Sequence, residues 1–386
     1  MQRAAAATLG LLSVVTVAAG CSPDPGPPAA VGASSAPPAT RPVPAATTAA
    51  PTTTASATVR RTGPAPGNPA GTATIPAAGR AVDTSRPDRV VGTGTPGSCT
   101  SAAVVRAVAA GGVITFDCGP DPVTITMRAT AKVRNAASRV VLDGGGKVTL
   151  SGAGQRRILY LNTCDQAQGI ITSHCQDQDS PRLTVQNLAF ADGDSTGERA
   201  EGGGGGAVFV RGGRLTVIGS RFTGNRCDRT GPDLGGAAIR VLSQYHGLPV
   251  HVVRSTFTGG SCANGGALSS IGVSWVILNS VLTGNAAVGH GANPARAGTP
   301  GGGSGGAIYA DGNTFTVRLA GTVVADNRAA EGGGAVFFVS NDRSGTMRIE
   351  DSTLRHNPSR GFETAGLPGI FFLGARRPAI ENSRLR

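Results

Sequence analysis

The sequence GGAVFV at residues 205–210 begins a unit that the chain repeats. The same Gly-Gly-Ala step, each time followed by a short apolar run, occurs at residues 205–207, 235–237, 265–267, 305–307 and 333–335. The units are roughly 25 to 42 residues long, the range in which self-similarity indicates a solenoid, a propeller or an array. The fold of the surrounding chain therefore has to accommodate this repeat.

A second apolar run in each unit has the alternation of a β-strand. In residues 214–225, Leu215 and Val217 alternate with the polar Thr216, and the run closes on Phe222. A period of two is expected of a strand with one buried face. A hydroxyl residue recurs two positions before the closing residue and a turn-forming residue three positions before it. This arrangement indicates a tight bend between two strands.

The pattern excludes the other repeat architectures. Helical repeats need long segments with a period of about 3.6 residues, and the repeated units contain none. Propeller blades need about four strands in roughly 40 residues, whereas these units hold two or three short ones. Successive turns of one coil fit better, with each strand pairing to its counterpart about 4.8 Å above. The sequence therefore predicts an all-β domain, a right-handed parallel β-helix (solenoid), over residues 90–386.

The first twenty residues have the pattern of an export signal. An apolar run follows Arg3 and is too short for a transmembrane helix, which is typical of a signal peptide over residues 1–20. The Ala-Ala-Gly-Cys sequence at residues 18–21 resembles the lipobox of bacterial lipoproteins, although that motif prefers Leu in place of Ala18. The resemblance implies that Cys21 is lipidated and that its acyl chains hold the protein on a membrane. An ordinary cleavage site before a cysteine is the alternative.

A tether and a helix are expected between the signal peptide and the repeats. Residues 21–89 are rich in Pro, Ala and Thr and poor in large apolar side chains, so we expect a disordered tether that lifts the domain off the membrane. Residues 100–110 form the predicted helix, which Thr100 or Ser101 caps and Gly111 ends. A short helix before the first strand suits an N-terminal cap over the open end of a solenoid.

The cysteines are consistent with export. Six of the seven remain when Cys21 is set aside, an even number as expected in an oxidising compartment. The preferred pairing is sequential: Cys99–Cys118, Cys164–Cys175 and Cys227–Cys262. The sequence alone leaves other pairings open. Each repeat ends on Asn or Gly three residues after its closing residue, and Cys227 and Cys262 lie two residues after the ends Asn225 and Gly260, so they are expected on adjacent turns. A rise of about 4.8 Å falls within the roughly 4.4–6.8 Å between Cα atoms that a disulfide accepts.

Parts of the chain resemble two known families. The Gly-Gly-Ala step combined with FTGN (222–225) or FTGG (257–260) resembles the repeats of polymorphic outer-membrane proteins. The sequence GGVITFDCGPDPVTIT (111–126), followed by RVVLDGGGKVTLSGAG (139–154) and RILYL (157–161), resembles the opening turns of pectate-lyase-like β-helices. The resemblance implies the fold. It does not select a function, because this fold carries lyases, hydrolases, adhesins and inert spacers.

The longest insertions fall at one place in the repeat, between its end and the next Gly-Gly-Ala: residues 194–204, 226–234 and 286–304. Because the turns stack, these loops should form a wall with a groove beside the Gly-Gly-Ala strands. The comparable groove holds the substrate in pectate-lyase-like proteins. The net charge of +12 favours an anionic partner such as an acidic polysaccharide or a cell-wall polymer. Nucleic acid is not expected as a partner, because no recognised binding motif occurs in the sequence. We expect the protein to be a monomer.

Catalytic candidates for this groove are few. Arg240, Tyr309 and Asp311 lie on Gly-Gly-Ala strands or at their ends. The resemblance to lyases implies a basic residue that abstracts a proton while a cation neutralises a uronate. Strand parity leaves open whether Tyr309 faces the core. His290, in a Gly-His-Gly sequence, resembles the motif of polygalacturonase-type hydrolases, but the aspartate motifs of that family have no counterpart here, so coincidence is the favoured interpretation.

The first long loop contains the candidate metal ligands. Asp192, Asp194 and Glu201 are closely spaced carboxylates, which Ca²⁺ prefers as ligands. A solvated loop beside the glycine run 202–206 is the favoured interpretation, so the sequence requires no cofactor.

Two functions from different classes remain. The first is an exported, membrane-anchored lipoprotein on the extracytoplasmic side whose β-helix binds extracellular or cell-wall polysaccharide. The alternative is a polysaccharide lyase or glycoside hydrolase that acts in the groove beside the Gly-Gly-Ala strands. The lack of a recognisable catalytic signature in the sequence favours binding.

Overall fold

The computed structural model describes residues 64–199, 202–291 and 299–386. In these ranges the chain forms thirty strands and one α-helix, and the paired strands are parallel. The strands form three long sheets, named A, B and C, and a short sheet D. The all-β parallel β-helix predicted from the sequence is confirmed.

The four sheets have ten, nine, eight and three strands. Sheet A contains Arg89–Val91, Gly112–Phe116, Arg139–Asp143, Arg182–Gln186, Arg214–Ile218, Val250–Val253, Trp275–Leu278, Thr316–Ala320, Thr346–Glu350 and Ala379–Glu381. Sheet B contains Val123–Thr126, Val148–Ser151, Ala189–Ala191, Arg221–Thr223, Thr256–Thr258, Val281–Thr283, Val323–Ala325, Thr353–Arg355 and Arg384–Leu385. Sheet C contains Ala131–Lys132, Leu159–Asn162, Val208–Arg211, Ile239–Val241, Leu268–Ile271, Ile308–Gly312, Val336–Ser340 and Ile370–Leu373. Sheet D contains Ser261–Cys262, Ala286–Ala287 and Arg328–Ala329.

Most turns of the coil contribute one strand to sheet C, then one to sheet A and one to sheet B. Counterparts on neighbouring turns are in register, so equivalent residues of the repeat lie above one another. The closing residues Phe190, Phe222 and Phe257 are such partners, and their parallel rings have centroids 5.0 and 4.6 Å apart. The stacked rings fill the core with one side chain from each turn.

The bend between sheets A and B uses the predicted turn-formers and hydroxyls. Its first residue has a positive φ, as at Gly219 (53°) and Asn279 (51°), a conformation that Gly and Asn adopt more readily than other residues. The backbone N–H of Ser220 donates to Ser255 Oγ (3.2 Å), and that of Ser255 donates to Ser280 Oγ (3.1 Å). These hydroxyls satisfy buried N–H groups at the bend.

The predicted helix spans Ser101–Ala110. Thr100 Oγ1 accepts a hydrogen bond from a backbone N–H of the first turn (3.2 Å), and Gly111 ends the helix with a φ of 72°. Val104 and Val108 are fully buried in the main core. The helix packs against strands at the N-terminal edges of sheets A and C. Its role as a cap stays a prediction.

The six cysteines of the domain are paired as the sequence predicted. The Cα atoms are 5.6 Å apart in Cys99–Cys118, 5.0 Å in Cys164–Cys175 and 4.8 Å in Cys227–Cys262. The third disulfide links adjacent turns beside sheet D, which agrees with the position of its cysteines in the repeat.

Residues 64–88, which we name the N-terminal strap, lie against the outside of the coil. The backbone of Ala73 exchanges two hydrogen bonds with the side chain of Asn279, each 2.8 Å long. The backbone of Val82 does the same with the side chain of Gln186, with two bonds of 2.9 Å. Residues 64–88, which the sequence analysis assigned to the tether, therefore pack against the coil.

The strap also covers an apolar patch on the outer face of sheet A. Ala73 and Ile75 pack on a cluster of Ile218, Val253, Leu278 and Ala320. The strap is fixed by backbone hydrogen bonds and a few apolar contacts to the coil. These contacts need few large apolar side chains, so the composition of the strap resembles that of a disordered segment. For this reason it is counted with the tether in the sequence analysis.

Residues 1–63 lie outside the described ranges, and so do the predicted signal peptide, Cys21 and most of the predicted tether. Among the described residues, no helix has the length and apolarity needed to cross a lipid bilayer.

Candidate functional site

The outward residues of the Gly-Gly-Ala strands form a column along sheet C. Phe209, Arg240, Ser269, Tyr309 and Phe337 are register partners on successive turns. All five are buried, and none has more than 6 % of its surface exposed. The open groove that the sequence predicted beside these strands is therefore closed over these turns.

Backbone of the long loops closes part of the groove. Arg157 donates from Nε to Gly205 O (3.1 Å) and from Nη2 to Gly204 O (2.9 Å). Arg240 donates from Nη2 to Asp233 O (2.5 Å). Main chain of the first two insertions therefore lies over the sheet.

The structure brings Arg240, Tyr309 and Asp311 together, with Arg240 and Tyr309 buried and Asp311 half-buried. Arg240 is only 1 % exposed, and its Nη1 donates to Ser269 Oγ (2.5 Å). Burial lowers the pKa of the Arg240 guanidinium to about 10, although Tyr309, Asp233 and Asp311 oppose this shift. Arg240 is therefore protonated at neutral pH and inaccessible to a polymer, so it does not suit the role of catalytic base.

Tyr309 faces outward and lies under the loops. Its hydroxyl donates to Asp311 Oδ2 (3.1 Å), and its ring stacks on Phe337 with centroids 5.0 Å apart. Burial, followed by the nearby charge of Asp311, raises the pKa of Tyr309 far above its ordinary value. The hydroxyl stays neutral and serves as a buried hydrogen-bond donor.

His290 lies elsewhere in the repeat, on an exposed loop position that forms a bridge with Gly301. Residues 292–298 of the same loop are outside the described ranges. Its Gly-His-Gly sequence therefore has the structural context of a surface loop.

The candidate calcium ligands have other partners or lie outside the described residues. Asp194 accepts hydrogen bonds from Arg226 Nε (2.7 Å) and from the backbone N–H of Thr196 (2.8 Å). Burial alone would raise the pKa of Asp194, but these hydrogen bonds outweigh it and lower the pKa. Asp192 forms the bend after sheet B with a φ of 50°, and Glu201 is not described. No group of three or more His, Cys, Asp or Glu side chains converges within the described ranges.

A cleft of about 270 Å³ remains open at the N-terminal end of sheet C. Its lining includes Lys132, Arg157, Tyr160, Glu198 and Arg199. The charges there largely neutralise one another, since Arg157 pairs with Glu198 at 2.5 Å and Arg199 pairs with a buried aspartate. This cleft is therefore a weak candidate for binding an anion.

A larger cleft, of about 410 Å³, lies on the outer face of sheet A near its C-terminal edge. We name it the arginine cleft, after the four arginines in its lining: Arg318, Arg348, Arg376 and Arg377. Arg318 and Arg348 are register partners on adjacent turns, and their side chains are 40 % and 51 % exposed. Exposed positive charge is thus concentrated at one depression of the surface.

Glu350 positions the two arginines that come from sheet A. Its Oε2 accepts from Arg318 Nε (2.6 Å), and its Oε1 accepts from Arg348 Nε (2.5 Å). Arg348 also pairs with Glu381 at 3.0 Å. Burial alone would raise the pKa of Glu350, but the two arginines outweigh it and lower the pKa. The bond from Arg318 uses Nε, so both Nη groups of that residue remain available to a ligand.

The chemistry of this cleft is that of an anion-binding surface. A guanidinium presents a planar set of N–H donors that matches a carboxylate, sulfate or phosphate group. The two carboxylates next to the cleft, Glu350 and Glu381, already accept hydrogen bonds from Arg348. The arrangement is suited to holding a negatively charged ligand.

Sequence reasoning missed this cleft although a signal for it exists. Arg318 and Arg348 occupy the same outward position of consecutive repeats, which places them on one face of the sheet. The alternation of this column predicts the strands but does not by itself predict a cleft. The contribution of Arg376 and Arg377 depends on the path of the chain after the last strand of sheet C, which the repeat does not specify.

Comparisons of the chain with protein-family models, with curated proteins and with solved structures found no match. The functional interpretation therefore depends on the geometry of this chain.

Proposed function

We propose that this protein is an exported, membrane-anchored lipoprotein whose β-helix binds acidic polysaccharide of the cell envelope or its surroundings. The observation that carries the proposal is the convergence of Arg318, Arg348, Arg376 and Arg377 on one open cleft of about 410 Å³. The net charge of +12 adds a long-range attraction for anions at low ionic strength.

A binding function suits this site better than catalysis does. Glu350, with a lowered pKa, is held ionised between two guanidiniums, so it lacks the raised pKa of a general acid. On the other side of the coil, the catalytic candidates Arg240 and Tyr309 are buried beneath loops. The alternative of a lyase or hydrolase is less well supported, because Asp311 bonds to the buried Tyr309 and His290 lies elsewhere, on a surface loop.

The membrane anchor is part of the proposal and is supported by the sequence alone. The Ala-Ala-Gly-Cys sequence at residues 18–21 supports lipidation at Cys21, because it resembles a lipobox. The Pro-rich chain that follows would give the domain reach from the membrane. Labelling with a radioactive fatty acid tests this part, since the Cys21→Ala variant should lose the label.

A polymer panel tests the binding function. The domain is titrated at low salt with polygalacturonate, alginate and hyaluronate, and with neutral dextran as the control. Ultraviolet absorbance and reducing-end release are followed in the same samples to detect cleavage. We expect the acidic polymers to bind, dextran not to bind, and no polymer to be cleaved. Equal affinity for dextran and the acidic polymers would contradict the proposal, and so would cleavage of any polymer.

A further inference from the structure

We propose that sheet A binds a linear acidic polysaccharide lengthwise, across its strands, by joining the arginine cleft to a second group of arginines on earlier turns. This inference rests on the proposed function and specifies how the ligand lies. The second group, which we name the arginine ladder, consists of Arg139, Arg182 and Arg214.

The arginine ladder is built by the register of sheet A. Arg139, Arg182 and Arg214 are Cα partners on three consecutive turns. The side chains of Arg139 and Arg182 are each 55 % exposed, and that of Arg214 is 35 % exposed. Asp179 pairs with both Arg182 and Arg214, and Asp88 pairs with Arg139. Within the ladder three guanidiniums face two carboxylates, and a third carboxylate, Asp177, lies beside it at His246.

An aromatic side chain stands beside the ladder. The guanidinium carbon of Arg214 lies 5.3 Å from the centre of the Tyr245 ring, and Tyr245 in turn stacks on the exposed ring of His246 with centroids 3.9 Å apart. The exposed ring of this stack, next to the cations of the ladder, suits a sugar ring that carries a carboxylate, because the apolar face of the sugar packs on it. This combination favours a uronate polymer over a simple inorganic anion.

The two groups of arginines share one face and lie a short distance apart. From the turn of Arg214 to the turn of Arg318 there are three steps of sheet A, or about 14 Å at about 4.8 Å for each step. From the turn of Arg139 to that of Arg348 there are six steps, or about 29 Å. A polymer laid along the coil axis reaches both groups, whereas one laid along a strand reaches only one of them.

The surface between the two groups does not oppose an anion. The outward positions there include Ser274 and Val276, and His251 lies partly beneath the strap. Burial lowers the pKa of His251, so this residue is neutral at pH 7. The strap covers His251 and packs on the apolar patch through Ala73 and Ile75, so the open path runs past Ser274, beside the strap.

A size series of oligogalacturonates, from the dimer upward, tests this inference on the whole domain. Affinities are measured by calorimetry for the wild type, for Arg182→Gln/Arg214→Gln and for Tyr245→Ala. The variant Arg328→Gln/Arg360→Gln is the matched control, because it removes two exposed arginines that line a different cleft. For the wild type we expect affinity to rise on the order of 10²-fold once the oligomer reaches both groups, since the second contact becomes intramolecular.

The ladder variants should lose most of this gain for long oligomers and bind the dimer like the wild type, while the control keeps the gain. An affinity independent of oligomer length would overturn the inference and leave the proposed function standing. An equal loss of affinity for short and long oligomers in the ladder variants would do the same. If no oligomer and no polymer binds the wild type, both the inference and the proposed function fail.

Discussion

Asn285 and Asn327, forty-two positions apart in the sequence, lie on adjacent turns, and Nδ2 of the first donates to Oδ1 of the second at 2.8 Å. Asn327 repeats the contact with Asn357 on the next turn at 2.9 Å. The backbone N–H groups of Asn285 and Asn327 also donate to the side chain above (3.0 and 3.1 Å). These buried asparagines hold the chain where it leaves sheet B, and they occupy the position three residues after the closing residue, where the repeats have Asn or Gly.

Removal of one of these buried asparagines should destabilise the domain. Asn327 is fully buried, and its amide donates to Leu282 O and Ala325 O as well as to Asn357. Asn327→Ala leaves several of these groups without a partner, so we expect a loss on the order of 3 kcal/mol in the free energy of unfolding. Urea denaturation followed by circular dichroism measures the loss.

The control for this prediction is Asn341→Ala. Asn341 is exposed, and the corresponding loss should be about 0.5 kcal/mol or less. Equal losses in the free energy of unfolding of the two variants would show that the buried asparagines make no special contribution to stability.

The disulfide between adjacent turns should stabilise the domain. Cys227 and Cys262 close a loop with a sequence separation of 35. The double variant Cys227→Ala/Cys262→Ala should lose roughly 2–4 kcal/mol, because the unfolded chain gains conformational freedom. Chemical denaturation under oxidising conditions measures the change. If the double variant unfolds at the same urea concentration as the wild type, this disulfide does not stabilise the fold.

The strap should be released by a change at Asn279. Glycine adopts the positive φ of this position easily, so Asn279→Gly keeps the bend while it removes both hydrogen bonds to Ala73. We expect faster proteolysis within residues 64–80 and little change in the unfolding of the coil. Asn187→Gly is the matched control, because Asn187 has a similar φ of 48° and bonds to Asp143 instead of the strap. Equal proteolysis rates for the two variants would contradict the role assigned to Asn279.

Glu350 should give the stability of the domain a dependence on acid pH. Its pKa is lowered in the folded protein from an ordinary value of 4.5, so its charge stabilises the fold above that pH. This contribution is lost as the pH falls through the folded-state pKa. We therefore expect the wild type to be more stable than Glu350→Gln at pH 7, and the difference to shrink at pH 3. A difference that stays constant from pH 7 to pH 3 would show that the ionised carboxylate is not responsible.

The sequence predicts most of the coil because each turn obeys the same local rules. The alternation of Leu215, Thr216 and Val217 predicts which side chains enter the core, and the register of sheet A confirms it. The pairing of Cys227 with Cys262 follows from the same periodicity. Contacts between like positions of neighbouring repeats can be read from spacing alone.

The strap and the loops could not be predicted in this way. The backbone of residues 64–88 bonds to side chains of the coil such as Asn279 and Gln186. These partners are more than a hundred positions away in the sequence. The insertion at residues 226–234 closes over Arg240, since its main chain supplies a hydrogen-bond acceptor at Asp233. Neither contact leaves a periodic pattern in the sequence, so the location of the open surface was predicted on sheet C and found on sheet A.

The proposed function requires that the arginine cleft itself binds the acidic polysaccharide. The most direct measurement is the affinity of polygalacturonate for Arg318→Gln/Arg376→Gln and for Arg328→Gln/Arg360→Gln, compared with the wild type at one ionic strength. Both variants lose two positive charges, but only the first loses them from the cleft. We expect at least a tenfold loss of affinity, about 1.4 kcal/mol, for Arg318→Gln/Arg376→Gln. The affinity of Arg328→Gln/Arg360→Gln should change little. An equal loss in both variants would contradict this requirement, because binding would then depend on overall charge and not on this cleft.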